Sequence, residues 1–182
     1  MHRKELIDKL KNYSPESEIE KRFRASFLTF INENTDCFER SLAKGHITGS
    51  SWILNESGDK ALLTHHNKLN KWLQLGGHAD GETDIVKVAK TEALEESGLK
   101  HIELLSEAIF DIDIHTIPAK NEVAEHLHYD VRFLFKADEK DALIVSSESK
   151  DLAWVPLSEL HTITDQNDSI ARMVNKTLRL FP

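Results

Sequence analysis

Glu92, Glu95 and Glu96 recur at i, i+3 and i+4 in the segment that runs from Asp84 to Gly98. On an α-helix that spacing gathers three carboxylates along one side. Held so closely, they repel one another unless a cation sits among them, and hard oxygen ligands in that number suit Mg²⁺ or Mn²⁺ better than zinc. A divalent cation in such a setting acts as a Lewis acid and activates bound water. Directly ahead lies Gly76-Gly77-His78-Ala79-Asp80-Gly81-Glu82-Thr83, where residues without a Cβ let the backbone approach a ligand closely. Glu92 and Glu96, one turn apart, are the expected main metal ligands. Glu95 either completes the metal shell or takes a proton from the water. The Gly76-Gly77 backbone could present a carbonyl to the metal or an amide to substrate phosphate, and His78 is placed to contact that phosphate.

The element that must position these acids is a helix. Thr83 or Asp84 is a good N-cap for it, and Gly98 stands where a left-handed C′ residue belongs. Ile85, Val86, Ala89 and Ala93 form the expected buried stripe. Gly77, followed at the family's spacing by Glu92-Ala93-Leu94-Glu95-Glu96-Ser97-Gly98-Leu99, resembles the Nudix box of the Nudix hydrolase superfamily, Gly-x5-Glu-x7-Arg-Glu-U-x-Glu-Glu-x-Gly-U, with U an apolar residue. Two positions depart from it: the first Glu is Thr83 and the Arg is Thr91. Losing one member of that pair alone leaves a poorly compensated charge, whereas losing both removes the pair together.

The resemblance implies an α/β fold, a Nudix-type α/β/α sandwich with a mixed sheet over about residues 48–180. It implies Mg²⁺- or Mn²⁺-dependent hydrolysis of a diphosphate bond in a nucleoside diphosphate linked to another moiety. It also implies substrate contacts just before the box, at Lys68, Lys71 or Trp72, and a further metal-binding or base acid at Glu148. A rival reading, resting on Thr83 and Thr91, is a catalytically weak diphosphate-binding or regulatory module. A second, isopentenyl-diphosphate isomerase, needs a catalytic cysteine in the core domain, whereas Cys37 lies ahead of it.

The chain has 182 residues and a formal net charge of −8, which argues against a broad basic surface for nucleic acid. No apolar run approaches the roughly 20 residues of a membrane span. The N-terminus lacks a signal-peptide core, and a single cysteine fits a reducing cytoplasm. The expected partner is a small-molecule diphosphate, with neither nucleic acid nor membrane; a homodimer stays open. His126 and His128 point the same way on a strand, and His115 or Asp130 joins them in one reading as transition-metal ligands. Plain polar alternation on a sheet gives the same spacing.

The expected organisation is an N-terminal helical extension over 1–47 and a Nudix domain over 48–182. Periodicity predicts helices at 3–12 and 16–33 and a short third one through Leu42, with Gly45 to Gly49 as a linker. Strands follow at 50–54, 61–65, 72–75, 101–107, 109–117, 125–136, 143–145 and 153–156. A one-turn helix starts at Leu157. A terminal helix, capped by Asp165 or Asn167, buries Ile170, Val174, Thr177 and Leu178.

Overall fold

The computed structural model describes residues 2–67, 69–120 and 123–181. Its elements are, in order, α1 (Lys4–Asn12), α2 (Glu18–Glu33), β1 (Gly45–Leu54), β2 (Lys60–His66), β3 (Lys71–Leu73), β4 (Leu75–His78), α3 (Ile85–Ser97), β5 (Glu103–Leu104), β6 (Asp111–Ile117), β7 (His126–Lys136), β8 (Ser149–Pro156), α4 (Leu160–Ile163) and α5 (Asp168–Leu180). Internal contacts divide the chain into two compact units. One comprises Met1–Ser50, Gly77–Ala89 and Ser106–Phe133; the other comprises Ser51–Gly76, Lys90–Leu105 and Leu134–Pro182.

In the first unit, α2 begins at the N-cap Ser17, whose Oγ accepts from the Glu20 amide at 3.3 Å and donates to the Glu20 carboxylate at 2.9 Å. Phe27 and Phe30 on its buried face pack on Tyr129 of β7, edge-on at 5.3 Å and stacked at 4.0 Å. Strands β6 and β7 pair antiparallel from Asp111↔Arg132 to Ile117↔His126. Alternation on these strands predicts an open polar face, and Asp111, Asp113, Asp130 and Arg132 on it are instead buried. Arg132, 2% exposed, reaches Asp130 at 2.7 Å, Asp111 at 3.0 Å and Asp113 at 3.5 Å. Thr48 and Ser50 of β1 donate their hydroxyls to Asp130 at 2.9 and 2.7 Å. Asp130 is therefore occupied by this network.

In the second unit, β2 pairs antiparallel with β3 and along its whole length with β8, from Lys60↔Pro156 to His66↔Ser149. Helix α5 is capped by Asn167, whose side chain accepts from the Ser169 and Ile170 amides. It buries Ile170, Met173 and Thr177, and Thr177 Oγ1 accepts from Trp52 Nε1 at 2.9 Å. Leu178 is 53% exposed rather than in the stripe, since a 13-residue helix shows only one narrow face to the core.

Several boundaries differ from expectation. Gly45 to Gly49 is strand, not linker, and all ten residues of β1 are buried; Gly45 is needed there because a Cβ would meet the Leu127 carbonyl oxygen at 2.3 Å. Turns replace the third helix before Leu42. Only Glu103–Leu104 of the 101–107 run pairs, with Phe135 and Lys136. Leu143-Ile144-Val145 forms no strand, Ile144 and Val145 being 65% and 45% exposed. A three-residue apolar run carries no period that separates strand from loop. The last short helix starts at Leu160, three residues late.

Arg132→Met is expected to lower stability by about 3–5 kcal/mol, because it strands three carboxylates without their buried cation. Urea unfolding measures this; an unchanged midpoint would show the network to be energetically idle.

Candidate active site

Helix α3 is fixed at both ends by the residues expected to do so. Asp84 Oδ1 accepts from the Lys87 amide at 3.1 Å as N-cap. Gly98, at φ +69, follows the last turn, its amide donating to the Leu94 carbonyl at 2.9 Å. The buried stripe is Ile85, Val88, Ala89 and Ala93, with Val86 only half-buried.

That stripe rotates the three glutamates into different surroundings. Glu96 is 7% exposed, Glu92 is half-buried and Glu95 faces solvent. The Gly76 amide donates to Glu96 Oε2 at 3.0 Å. Burial pushes the Glu96 carboxyl up to about 7, the Gly76 hydrogen bond opposes that rise, and the charges of Glu92 and Glu148 reinforce it. Glu148 therefore stands close enough to act on Glu96. It occupies the turn before β8, exposed, its carbonyl accepting from the Asn67 amide at 2.8 Å. The set in electrostatic contact is thus Glu92, Glu96 and Glu148, with Glu95 at its solvent edge. Oxygen donors of one sign, one of them desolvated and short of positive charge, are the ligand chemistry that Mg²⁺ or Mn²⁺ satisfies. In the same unit Trp72 stacks on His65, the rings 5.0 Å apart at 16°. Lys68 lies outside the described residues.

Gly77 and His78 belong to the first unit. There His78 lies 5.0 Å, ring to ring, from both His46 and His128. Burial lowers His128 to about 2 and His46 to about 4, with neighbouring histidines adding to both shifts. His46 escaped sequence reasoning because the stretch around it, between two glycines, reads as a linker.

The two departures from the box have local explanations. Glu82, one position before Thr83, accepts from the Thr83 and Asp84 amides and pairs with Lys87 at 2.5 Å. It serves as a helix-start residue. Thr91 is exposed on α3.

Residues 46–176 match the family model described as NUDIX domain. The chain belongs to the Nudix family. With that membership come the α/β Nudix fold and the pyrophosphohydrolase class of enzyme, acting on nucleoside diphosphate-linked compounds. Among solved structures, a C. elegans Ap4A hydrolase binary complex aligns with a TM-score of 0.59 at 18% identity, over 74% of this chain and 96% of that one. The MutT protein from Methanosarcina mazei Go1 aligns at 0.57 and 17% identity, over 76% and 96%. The E. coli dihydroneopterin triphosphate pyrophosphohydrolase aligns at 0.56 and 10% identity, over 73% and 95%. At these identities the likeness is one of fold. No curated protein matches the chain in sequence. No helix among the described residues is long and apolar enough to cross a membrane.

The raised Glu96 pKa makes the metal-free protein pH-sensitive in a definite direction. Its folded value, about 7, lies above the ordinary 4.5, so the native state holds the proton more tightly. That contribution to stability is complete below about 4.5 and is lost as pH rises through about 7. Glu96→Gln should flatten the loss, worth at most roughly 3 kcal/mol. Urea unfolding across pH in the presence of chelator checks it; parallel profiles would contradict it.

Proposed function

We propose that this chain is a divalent-cation-dependent pyrophosphohydrolase that splits the diphosphate of a nucleoside diphosphate linked to another moiety. The observation that carries the reading is the desolvated Glu96 carboxylate, held by the Gly76 amide and crowded by Glu92 and Glu148. Glu92 and Glu96 would hold the cation, Mg²⁺ or Mn²⁺, which supplies charge neutralisation on the phosphoryl oxygens and lowers the pKa of a water. Glu148 is assigned as proton acceptor, because it is exposed to incoming water yet within reach of Glu96. Glu95, at the solvent edge, contributes chiefly its charge. The stacked Trp72–His65 pair offers a flat surface to a base or another planar group, and Lys68 and Gly77 are assigned to substrate phosphates.

The Nudix domain is assigned to residues 48–182 and the helical extension to 1–47. One thiol, Cys37, is fully buried and pushed up to about 11 by that burial, which makes it a poor nucleophile. It gives no support to an isomerase that works through a cysteine. A reducing cytoplasm is the compartment we assign. The second reading, binding without turnover, rests on Thr83 and Thr91.

Assay of purified protein on nucleotide sugars, dinucleoside polyphosphates and nucleoside triphosphates, with Mg²⁺ or Mn²⁺ supplied, separates the two. Turnover should vanish with chelator. Glu96→Gln should lower kcat by roughly 10³ or more, Glu92→Gln and Glu148→Gln by roughly 10²–10³, and Glu95→Gln by less than about tenfold. Metal-dependent nucleotide binding with no phosphate release on any substrate supports the binding module. A kcat unchanged in Glu96→Gln refutes the assignment of the site.

A further inference from the structure

The histidines of the first unit form a second constellation that the acidic site does not use. The rings of His46, His78 and His128 make a nearly equilateral triangle, with centroids 4.7–5.0 Å apart. One ligand nitrogen from each lies within 4.8 Å of the other two. They come from β1, β4 and β7, three segments far apart in sequence. His126 and His115 adjoin them, 5.3 and 5.5 Å from His128.

What marks this cluster is the state of its nitrogens. His46 is 2% exposed, and neither of its ring nitrogens has a hydrogen-bond partner; His128 Nε2 is buried without one as well. A neutral imidazole carries one donor and one acceptor, and leaving such groups desolvated and unpaired is costly. Protonating the rings does not relieve the cost, since adjacent imidazolium charges repel in a site from which water is largely excluded. The carboxylates nearby are committed elsewhere: Asp130 to Arg132, Thr48 and Ser50, Asp113 to Arg132 and His115, and Asp80, which acts on His46 and His78, to Arg40. A cation with vacant orbitals for nitrogen lone pairs resolves the whole set at once.

We propose that His46, His78 and His128 bind a divalent transition-metal ion, Zn²⁺ above all, in a centre separate from the acidic one. Neutral imidazole is a ligand for zinc and its neighbours, whereas Mg²⁺ takes oxygen. Zinc with Zn–N bonds of ~2.1 Å holds its tetrahedral ligands roughly 3.4 Å apart, so modest rotation of the three side chains closes the triangle. The fourth position falls to His126 or to water. His126 already has the outer contact typical of such ligands, its Nδ1–H donating to the Ala124 carbonyl at 2.9 Å, which leaves Nε2 as the lone-pair nitrogen. An ion here would tie three strands together and stabilise the unit that contains them.

The test uses untagged full-length protein, stripped with chelator and titrated with Zn²⁺ or Co²⁺ in a large excess of Mg²⁺. One equivalent of Zn²⁺ per chain should be retained through gel filtration, with a rise in Tm of several degrees. Co²⁺ should give the visible absorption of a four-coordinate nitrogen site. The variants His46→Gln and His128→Gln should lose this uptake, while Glu96→Gln keeps it and loses hydrolysis. Wild-type protein that takes up no stoichiometric Zn²⁺ and shows no such Co²⁺ spectrum overturns the proposal, whether or not the variants fold. So does uptake that survives in folded His46→Gln or disappears in folded Glu96→Gln. Protein that binds Zn²⁺ as described but hydrolyses nothing leaves this centre standing and refutes the assigned enzymatic activity instead.

Discussion

A carboxylate that water barely reaches is tolerable only where something else holds its charge or its proton, and Glu96 is that carboxylate here. The local structure is arranged around it. Gly76 offers a backbone amide from the end of the glycine-containing stretch, at 3.0 Å. At the other side the last turn of α3 is tied off: Ser97 Oγ donates to the Ala93 carbonyl and accepts from the Leu99 amide. Gly98 then takes a left-handed conformation in which any Cβ would strike Ile144, at 2.5 Å. The Ile144 amide in turn donates to the Ser97 carbonyl at 2.7 Å. The exposed run around Ile144 thus works as a strap anchored on the helix terminus. Four residues further on it delivers Glu148 to the neighbourhood of Glu96. The glycine near the end of the box is therefore required twice, by its backbone conformation and by the strap that packs on it.

The first unit meets the same constraint in two different ways. Around Arg132 the buried charges are matched by protein groups alone: one guanidinium, three carboxylates and two hydroxyls, each at hydrogen-bonding or ion-pairing distance. Around His46 and His128 they are not, and buried nitrogens remain without partners. Both groups sit on β1 and β7, within four residues of one another along each strand. The difference is chemical. Carboxylates and guanidinium complement each other by charge and fork geometry, whereas clustered neutral imidazoles offer one another lone pairs and awkwardly placed donors.

Much of the acidic site was legible in the sequence because its determinants are local. Asp84, Gly98 and the i, i+3, i+4 glutamates all act through one helix, whose period is known in advance. Glu148 was reachable only through the family resemblance, since its approach to Glu96 depends on a strap with no periodicity of its own. Burial was the least legible property. The three glutamates look equivalent by spacing, yet the stripe of Ile85, Val88, Ala89 and Ala93 turns Glu96 inward and Glu95 out. Alternation on β6 and β7 suggested an open polar face, but an Asp–Arg network can be buried with the same pattern. His46 was hidden by its flanking glycines, which signal a loop on average and here permit a close strand approach.

The divergent box follows from the same reasoning about stranded charge. An arginine that orients catalytic carboxylates and an acid that pairs with it are costly to lose singly. Here neither position retains half of such a pair: Thr91 is exposed, and Glu82, the acid just before Thr83, is satisfied by two amides and Lys87. The task of holding Glu96 is left to the Gly76 amide, whose position the fold already fixes. A backbone amide has no side-chain rotamers to freeze and carries no charge to neutralise before a cation can bind. Burial raises the Glu96 pKa, and the Gly76 amide opposes that rise only in part. The cation proposed for this site would supply the remaining charge compensation.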